Sequence, residues 1–250
     1  MSCWLKPLSF MLALAASVFF TASCGSSKGS SQVRVLNAIP DGQEVDVEVN
    51  GTKDFSQLSF ESIAPTSQPS YTKVPSGSVT FEAFLTGTST SARPRSTFTL
   101  NNGTQSTVIL TGLNSVILGT FEPTAVPFTD NNKAPASGSL EFRIINASPS
   151  SPGGMVDVYF EPNPFDGNLQ GLDPQISGLG YQQAKYQSVM ANAQGSGIAV
   201  LVTASGAKTP LIQHNYSSPT TGGTISTLVL VDVAHGGQMS QLPILLNDLF

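Results

Sequence analysis

Residues for thiol and imidazole chemistry are scarce in this chain. Its 250 residues include two cysteines and two histidines, and only 11% of all residues are charged. Both cysteines, Cys3 and Cys24, lie near the amino end. After cleavage before Cys24 no other thiol would remain, so a disulfide, a cysteine-based metal site and a cysteine nucleophile are all excluded.

Clustered positive charge is also lacking. The chain has 11 Lys and Arg residues against 16 Asp and Glu residues, which gives a formal net charge of -5. The basic residues are scattered along the sequence, whereas binding to nucleic acid phosphates needs a clustered basic surface. We therefore predict that nucleic acid is not a partner.

The two histidines lack companions for a catalytic or metal-binding arrangement. His214 lies in a strand-like segment, and His235 precedes two glycines in a turn. A zinc site or a Ser-His-Asp triad needs specific partner residues within hydrogen-bond reach, and no such pattern surrounds either histidine. We expect a protein that is not an enzyme, with no catalytic residue, no metal ligand and no cofactor. The alternative is an extracytoplasmic hydrolase that uses His214 or His235.

The amino end has the pattern of a secretory signal. A lysine is followed by an apolar run from Leu8 to Phe20 and then by small residues. A basic start, a short apolar run and a small-residue cleavage site are typical of a signal peptide, and the run is too short for a comfortable transmembrane span. We predict a signal peptide over residues 1–23, cleaved between Ser23 and Cys24.

The residues around this cleavage point resemble a bacterial lipobox, with Thr21 where that pattern usually has leucine. The resemblance implies a lipid on Cys24 that anchors an extracytoplasmic protein to the membrane of the cell envelope. Gly25 follows instead of aspartate, which by resemblance to lipoproteins of two-membrane bacteria favours the outer membrane. The Gly- and Ser-rich residues 24–31 would form a flexible tether. The alternative is an ordinary signal and an unanchored, secreted binding protein.

One sequence pattern occurs twice in the chain. It starts with an arginine before an apolar run and continues into a Val-Asp-Val segment, and the copies are Arg34 to Pro40 with Val45-Asp46-Val47, and Arg143 to Pro149 with Val156-Asp157-Val158. A repeat of this quality indicates two homologous units. The stretch between them is rich in proline and polar residues, as connectors are. We predict units over residues 32–123 and 139–250, joined by a linker over residues 124–138.

Short runs of alternating apolar residues dominate both units. Val33 and Val35, and then Val45 and Val47, alternate with polar residues, which is the pattern of strands with one buried face. Turn residues separate the runs, and no stretch has a sustained helical period. The sequence therefore predicts an all-β fold of tandem antiparallel β-sandwich domains, each with its own core and able to fold alone.

These motifs resemble a bacterial family of extracytoplasmic repeats, the domain of unknown function 4397. Units of that family open with a strand that ends in Ala-Ser-Pro, followed by a Val-Asp-Val strand and a Tyr-x-x-Val-Pro-x-Gly step. Both copies match the first two motifs, with Ile39 in place of Ser in the first copy; the third motif is complete from Tyr71 to Gly77, but after Tyr186 and Val189 the second copy departs from it. The resemblance implies immunoglobulin-like sandwiches and an envelope location, and it carries no established activity.

The repeated arginine and aspartate predict a structural ion pair in each unit. Arg34 and Asp46 are both out of phase with the valines of their strands, and Arg143 and Asp157 repeat the arrangement. If the two opening strands are neighbours, each arginine can reach the aspartate on the same face. We predict the partly buried pairs Arg34–Asp46 and Arg143–Asp157.

One long excursion is the best sequence candidate for a binding feature. It runs from Glu161 to Gly180, where the first unit has a tight Asn50-Gly51 hairpin. Long loops in compact domains are often functional, although a loop that only caps the sandwich is the simpler interpretation. We expect a non-enzymatic binding, adhesion or scaffolding protein whose partner, besides the membrane, is an envelope polymer, a glycan or another protein.

Overall fold

The computed structural model describes residues 29–67, 69–114, 121–191, 197–216 and 223–248. The predicted signal peptide, the cleavage point at Ser23 and the lipidation site Cys24 lie outside these residues. Within them, no helix is both long enough and apolar enough to cross a membrane.

Among its described residues, the first unit contains nine strands. They are β1 (Ser30–Asn37), β2 (Val45–Val49), β3 (Thr52–Leu58), β4 (Ile63–Ala64), β5 (Thr72–Pro75), β6 (Gly77–Leu85), β7 (Ser91–Leu100), β8 (Gln105–Thr111) and β9 (Thr124–Thr129). The turn between β2 and β3 contains Asn50 and Gly51, both with positive φ, as a tight hairpin requires.

The part of the second unit that the structure describes contains eight strands and one turn of 3-10 helix at Pro152–Gly154. The strands are β10 (Ser139–Asn146), β11 (Met155–Pro162), β12 (Ile176–Gly180), β13 (Gln183–Met190), β14 (Ile198–Ala204), β15 (Pro210–Tyr216), β16 (Ile225–Leu230) and β17 (Ile244–Asn247). The predicted all-β fold of tandem sandwich domains is confirmed.

Each unit consists of two sheets. In the first unit, the outer sheet has the order β3-β2-β6-β7, and the inner sheet has the order β4-β1-β8-β9 with β5 also paired to β1. In the second unit, the outer sheet is β12-β11-β14-β15 and the inner sheet is β13-β10-β16-β17. The strands pair antiparallel except for β1 with β8 and β10 with β16, which are parallel. The inner sheets are therefore mixed, which the antiparallel prediction did not include.

Three apolar clusters fix the order of the four sheets. One fills the first sandwich, for example Val35 and Val47, and another fills the second, for example Ile144 and Val158. A third joins the two inner sheets and contains Leu36, Ala38, Ile109, Ile145, Ala147, Val229, Val231 and Leu246. The inner sheets thus pack face to face, and the two units form one stack of four layers.

Two predicted boundaries are wrong. Strand β9 lies within the predicted linker, because Ala125 packs into the first core and the strand pairs with β8 along its length. The tether prediction extended to residue 31, but β1 begins at Ser30, and Ser31 is fully buried. The first sandwich therefore runs from Ser30 to Thr129, and the connector is shorter than predicted.

The long excursion from Glu161 to Gly180 covers the second outer sheet and then re-enters it as β12. Leu169 is buried with Tyr159, Ala199 and Leu201, and Phe165 packs beside them. The loop thereby shields the outward face of the sheet from water. Its position agrees with the capping interpretation.

Candidate functional site

The two repeated arginines are the largest fully buried side chains in the described chain. Arg34 and Arg143 are both 0% exposed. They occupy the same place in each unit, because Arg34 lies opposite Thr107 on β8 and Arg143 lies opposite Thr227 on β16. Both point away from the core of their own sandwich and meet between the inner sheets.

A buried ionic cluster of these arginines and two aspartates connects the units crosswise. Arg34 of the first unit forms an ion pair with Asp248, which follows β17 of the second unit. Arg143 of the second unit forms an ion pair with Asp130, which follows β9 of the first. Longer contacts join Arg34 Nε to Asp130 Oδ2 at 3.8 Å and Arg143 Nη2 to Asp248 Oδ1 at 3.6 Å. Each carboxylate is therefore shared between the two units.

Threonines complete the cluster. Arg34 Nε donates to Thr107 Oγ1 at 2.8 Å, and Arg143 Nε donates to Thr227 Oγ1 at 2.7 Å. Thr107 Oγ1 in turn donates to the Asp130 carboxylate at 2.9 Å. Buried charges need both pairing and hydrogen bonds, and the cluster provides both.

A tyrosine covers each arginine. The Arg34 guanidinium carbon is 5.3 Å from the centre of the Tyr71 ring, and that of Arg143 is 5.7 Å from the centre of the Tyr186 ring. Such cation–π contacts favour the charged form of arginine. Burial opposes the charge of Arg143, but Asp130 and then Asp248 outweigh that effect and raise its pKa. The cluster thus holds the two units together at the interface between their inner sheets, and its positive and negative charges compensate each other inside the protein.

The predicted pairs Arg34–Asp46 and Arg143–Asp157 are wrong. The two opening strands of each unit belong to opposite sheets, since β1 and β10 lie in inner sheets while β2 and β11 lie in outer sheets. The arginine faces the other unit, and the aspartate faces outward from its own unit. The predicted partial burial also underestimates the arginines, which are fully buried.

Both aspartates instead accept hydrogen bonds within their own unit, chiefly from the edge strands β3 and β12 of the outer sheets. Asp46 pairs with Lys53 at 2.7 Å and accepts from the backbone nitrogen of Gln57 at 3.0 Å. The hydrogen bond from Lys53 lowers the pKa of Asp46 most, against the opposing effect of burial. Asp157 accepts from the backbone nitrogens of Gly178 at 2.8 Å and Gly206 at 2.7 Å. Each aspartate therefore holds together the loops at one end of its outer sheet.

Replacing Asp157 with Ala should lower the free energy of unfolding by about 1 to 3 kcal/mol, because two backbone donors lose a buried, charged acceptor. Burial raises the pKa of Asp157, but the bonds from Gly206 and Gly178 outweigh it, and the net pKa lies below 3.8. The carboxylate therefore stabilises the fold above the ordinary carboxyl pKa, and this contribution is lost as the pH falls through the lowered value.

Urea unfolding between about pH 7 and pH 3 checks this prediction. The loss of stability in acid should be smaller in the Asp157→Ala variant than in the parent chain. Asp173→Ala, at an exposed position of the same loop region, serves as the control and should leave the stability unchanged. Equal stability of the Asp157 and Asp173 variants would contradict the assignment.

An open cleft lies at one end of the second unit. It has a volume of about 740 Å³. Its walls are formed by uncharged residues of the connection between β10 and β11, the start of β15 and the connection between β16 and β17: Ser150, Pro152, Pro210, Leu211, Val233, Gly237, Gln238, Met239, Ser240, Gln241 and Leu242. We name it the distal cleft. Neither the residues nor their spacing in the sequence indicated it, because its walls come from separate segments.

The histidines do not lie together in a recognisable catalytic arrangement. His214 is on β15, and His235 is in the turn after β16, where its backbone nitrogen donates to Pro40 of the first unit at 2.8 Å. Within the described residues, no group of three or more His, Cys, Asp or Glu side chains is arranged to hold a metal ion. The hydrolase alternative stays a prediction without a site.

The fold and the ionic cluster define a tandem β-sandwich protein in which a buried contact between inner sheets joins the units. Residues 31–159 match the family model described as a domain of unknown function (DUF4397). The chain belongs to this family, and the resemblance noted in its sequence is confirmed. The match spans the first unit and continues to Tyr159 on β11 of the second. No curated protein matches the chain.

Proposed function

We propose that this protein is a non-enzymatic binding, adhesion or scaffolding module of the cell envelope, anchored by a lipid on Cys24 and facing outside the cytoplasm at the outer membrane. The observation that carries the proposal is the position of two features along the direction of the strands. Strand β1 begins at one end of the inner sheets, and the distal cleft opens at the other.

Hydrogen bonds identify the two ends. Ser30 donates its backbone nitrogen to Asn102 Oδ1 at 2.9 Å, so β1 starts beside the turn between β7 and β8. At the other end of β1, Pro40 accepts from His235, in the same turn as the cleft residues Val233 and Gly237. The eight residues of β1 span about 26 Å at the usual rise of a strand. A lipid at Cys24 would thus be followed by a short tether and then by a stack whose cleft faces away from the membrane.

The stacked inner sheets support the same function. Leu36, Ile109, Ile145 and Val229 are fully buried between the units, and the ionic cluster lies in the same interface. Interfaces that are apolar and contain satisfied charges restrict relative motion of domains. A rigid stack on a flexible Gly- and Ser-rich tether suits a protein that presents a surface to a partner outside the membrane.

Replacing Cys24 with Ser should move the protein from the membrane fraction to the soluble fraction. The physical reason is that the acyl chains of a lipoprotein provide its membrane affinity, and stable anchoring needs more than one such chain. The check is fractionation of cells followed by immunoblotting, with mass spectrometry of the mature amino terminus of the parent chain.

Ser23→Ala is the matched control, because it keeps a small residue before the cleavage point and should leave the protein in the membrane fraction. If the Cys24→Ser variant remained in the membrane fraction, the anchoring proposal would be wrong. If the parent chain had a mature amino terminus without lipid, the unanchored secreted alternative would replace it.

A further inference from the structure

A buried carboxylate lies behind the wall of the distal cleft. Asp232 is 0% exposed and directly precedes Val233, which lines the cleft. It accepts hydrogen bonds from the Ser148 hydroxyl, from the Ser150 hydroxyl at 2.7 Å and from the Ser150 backbone nitrogen at 3.3 Å. All three donors are neutral, and among the described residues no Lys, Arg or His side chain forms an ion pair with this carboxylate. The negative charge therefore has hydrogen-bond partners but no positive partner.

The first unit shows that the fold itself does not need this charge. The pairing of β1 with β8 and of β10 with β16 matches Ser148 with Ile39 and Asp232 with Gly112. Ile39 belongs to the apolar core of the first sandwich. Burying a charge is costly unless an opposite charge compensates it. The second unit thus bears this cost beside its cleft, at a position where the first unit has no side chain.

Ser150 transmits the effect of this charge to the cleft. Its side chain is partly buried and lines the cleft, and its hydroxyl proton is used in the hydrogen bond to Asp232. A hydroxyl has a single proton, so its oxygen can only accept further hydrogen bonds. Toward the cleft, Ser150 therefore presents an acceptor oxygen with a negative charge behind it. Such an acceptor favours a positively charged hydrogen-bond donor.

The other walls of the cleft suit the carbon chain of a small molecule. Its volume of about 740 Å³ lies within the usual range of small-molecule sites, about 300 to 1,000 Å³. No lining residue is charged or aromatic, and apolar surface comes from Leu211, Val233, Met239 and Leu242. Aromatic cages are the usual sites for quaternary ammonium groups, which also have no N–H to donate. The lining therefore favours a primary ammonium group.

We propose that the distal cleft binds a primary aliphatic amine in its protonated form. The ammonium group would donate a hydrogen bond to Ser150 Oγ with Asp232 as the opposite charge, and the aliphatic chain would pack against Leu211 and Met239. This inference rests on the proposed function, since it names the class of ligand for the binding end of the stack. Calcium is disfavoured because it needs six or more oxygen ligands, and no residue that lines the cleft carries a carboxylate.

Methionine methyl groups give a local readout of binding in the full chain. With isotope-labelled methionine in the lipid-anchored protein, the NMR signal of Met239 reports on the cleft wall. Met190 pairs with Ser139 at the far end of β10 and serves as an internal reference. Titration with hexylammonium should shift the Met239 signal with a dissociation constant of about 0.1 to 1 mM for free ligand. The Met190 signal should stay in place.

Two ligands of equal chain length separate the contributions of charge and hydrogen bonding. Hexanol has the same chain without the positive charge, and hexyltrimethylammonium has the charge without an N–H donor. Each should bind at least about tenfold more weakly than hexylammonium, because a charged donor forms the stronger hydrogen bond.

Two variants locate the ammonium group. Ser150→Ala removes the acceptor, and Asp232→Asn removes the charge behind it, so each should weaken hexylammonium binding at least about tenfold. Ser240→Ala is the matched control, because Ser240 also lines the cleft but its hydroxyl accepts from the backbone nitrogen of Leu242. This control should leave the affinity unchanged. Should Asp232→Asn fail to fold, the comparison of Ser150→Ala with Ser240→Ala still decides the question.

Three results would overturn the inference. They are no shift of the Met239 signal up to about 10 mM hexylammonium, binding of hexanol as tight as that of hexylammonium, and equal weakening by Ser150→Ala and Ser240→Ala. Tighter binding of a lysine blocked at both ends would also overturn it, because it would assign the cleft to a lysine side chain of a partner protein. A neutral or lysine ligand would leave the proposed binding function standing, and fractionation of the Cys24→Ser variant tests the anchor separately.

Discussion

Replacing Arg143 with Met is expected to lower the free energy of unfolding by about 3 to 5 kcal/mol, because Asp130 and Asp248 would remain buried with part of their positive partner removed. Arg143 is fully buried and forms ion pairs with both carboxylates. The free energy of unfolding of natural domains is about 5 to 15 kcal/mol, so this single change should remove a large share of the stability of the protein. Urea unfolding followed by circular dichroism measures it.

The chain offers a matched control in an exposed arginine. Arg95 pairs with Glu82 at 3.1 Å, but their side chains are 69% and 27% exposed. Arg95→Met should therefore cost only about 0 to 1 kcal/mol. If the free energy of unfolding fell by the same small amount in both arginine variants, the ionic cluster would not stabilise the contact between the units.

Separating the two units is expected to leave neither as stable as the whole chain. Each of Leu36, Ile109 and Ile145 would become exposed, and burying one such side chain contributes about 1.5 to 3 kcal/mol. Each arginine would also lose its partner across the interface. Contrary to the sequence-based expectation that each domain folds alone, fragments 29–138 and 139–250 should therefore unfold or aggregate near room temperature, whereas the full chain should melt in one cooperative transition.

Scanning calorimetry of the full chain and of each fragment checks this prediction. An equimolar mixture of the two fragments is the control, and it should regain stability because the buried interface can form again. Two fragments that each melt at the temperature of the full chain would show that the contact between inner sheets contributes nothing.

Local sequence patterns predicted the strands and the face on which the arginines lie. Val33 and Val35 alternate with Arg34, so the pattern correctly separated the core face from the other face of β1. The pattern did not show that this other face is covered by a second sandwich. A single unit would leave Arg34 only partly buried, whereas stacking two inner sheets buries it fully.

The partners of the arginines were not predictable from spacing. Asp46 lies out of phase with the valines of β2, as Arg34 does with those of β1, but it belongs to the opposite sheet. The actual partner, Asp248, is at the far end of the chain and acts across the interface. Only the fold brings these residues together, and the sequence of β17 shows no signal beyond an aspartate after a short apolar run.

The distal cleft was likewise hidden in the sequence. Its walls come from three separate segments of the second unit, which only the fold brings together. The length of the excursion from Glu161 to Gly180 indicated a candidate binding feature, but its apolar side chains cover Tyr159 and the residues beside it. Length alone therefore did not separate a covering loop from a binding feature.

If the two sandwiches form one rigid stack, the distance between their outer sheets has a single value, which can be measured. Spin labels can be attached at Thr99→Cys on β7 and Asn215→Cys on β15, in a chain with Cys3 and Cys24 replaced by Ser. Pulsed electron paramagnetic resonance then measures the distance between the two labels. Three sheet-to-sheet spacings of about 10 Å place the outer sheets about 30 Å apart. We expect a single narrow distance distribution that broadens in the Arg143→Met variant. A broad distribution in the chain with Arg143 intact would contradict it.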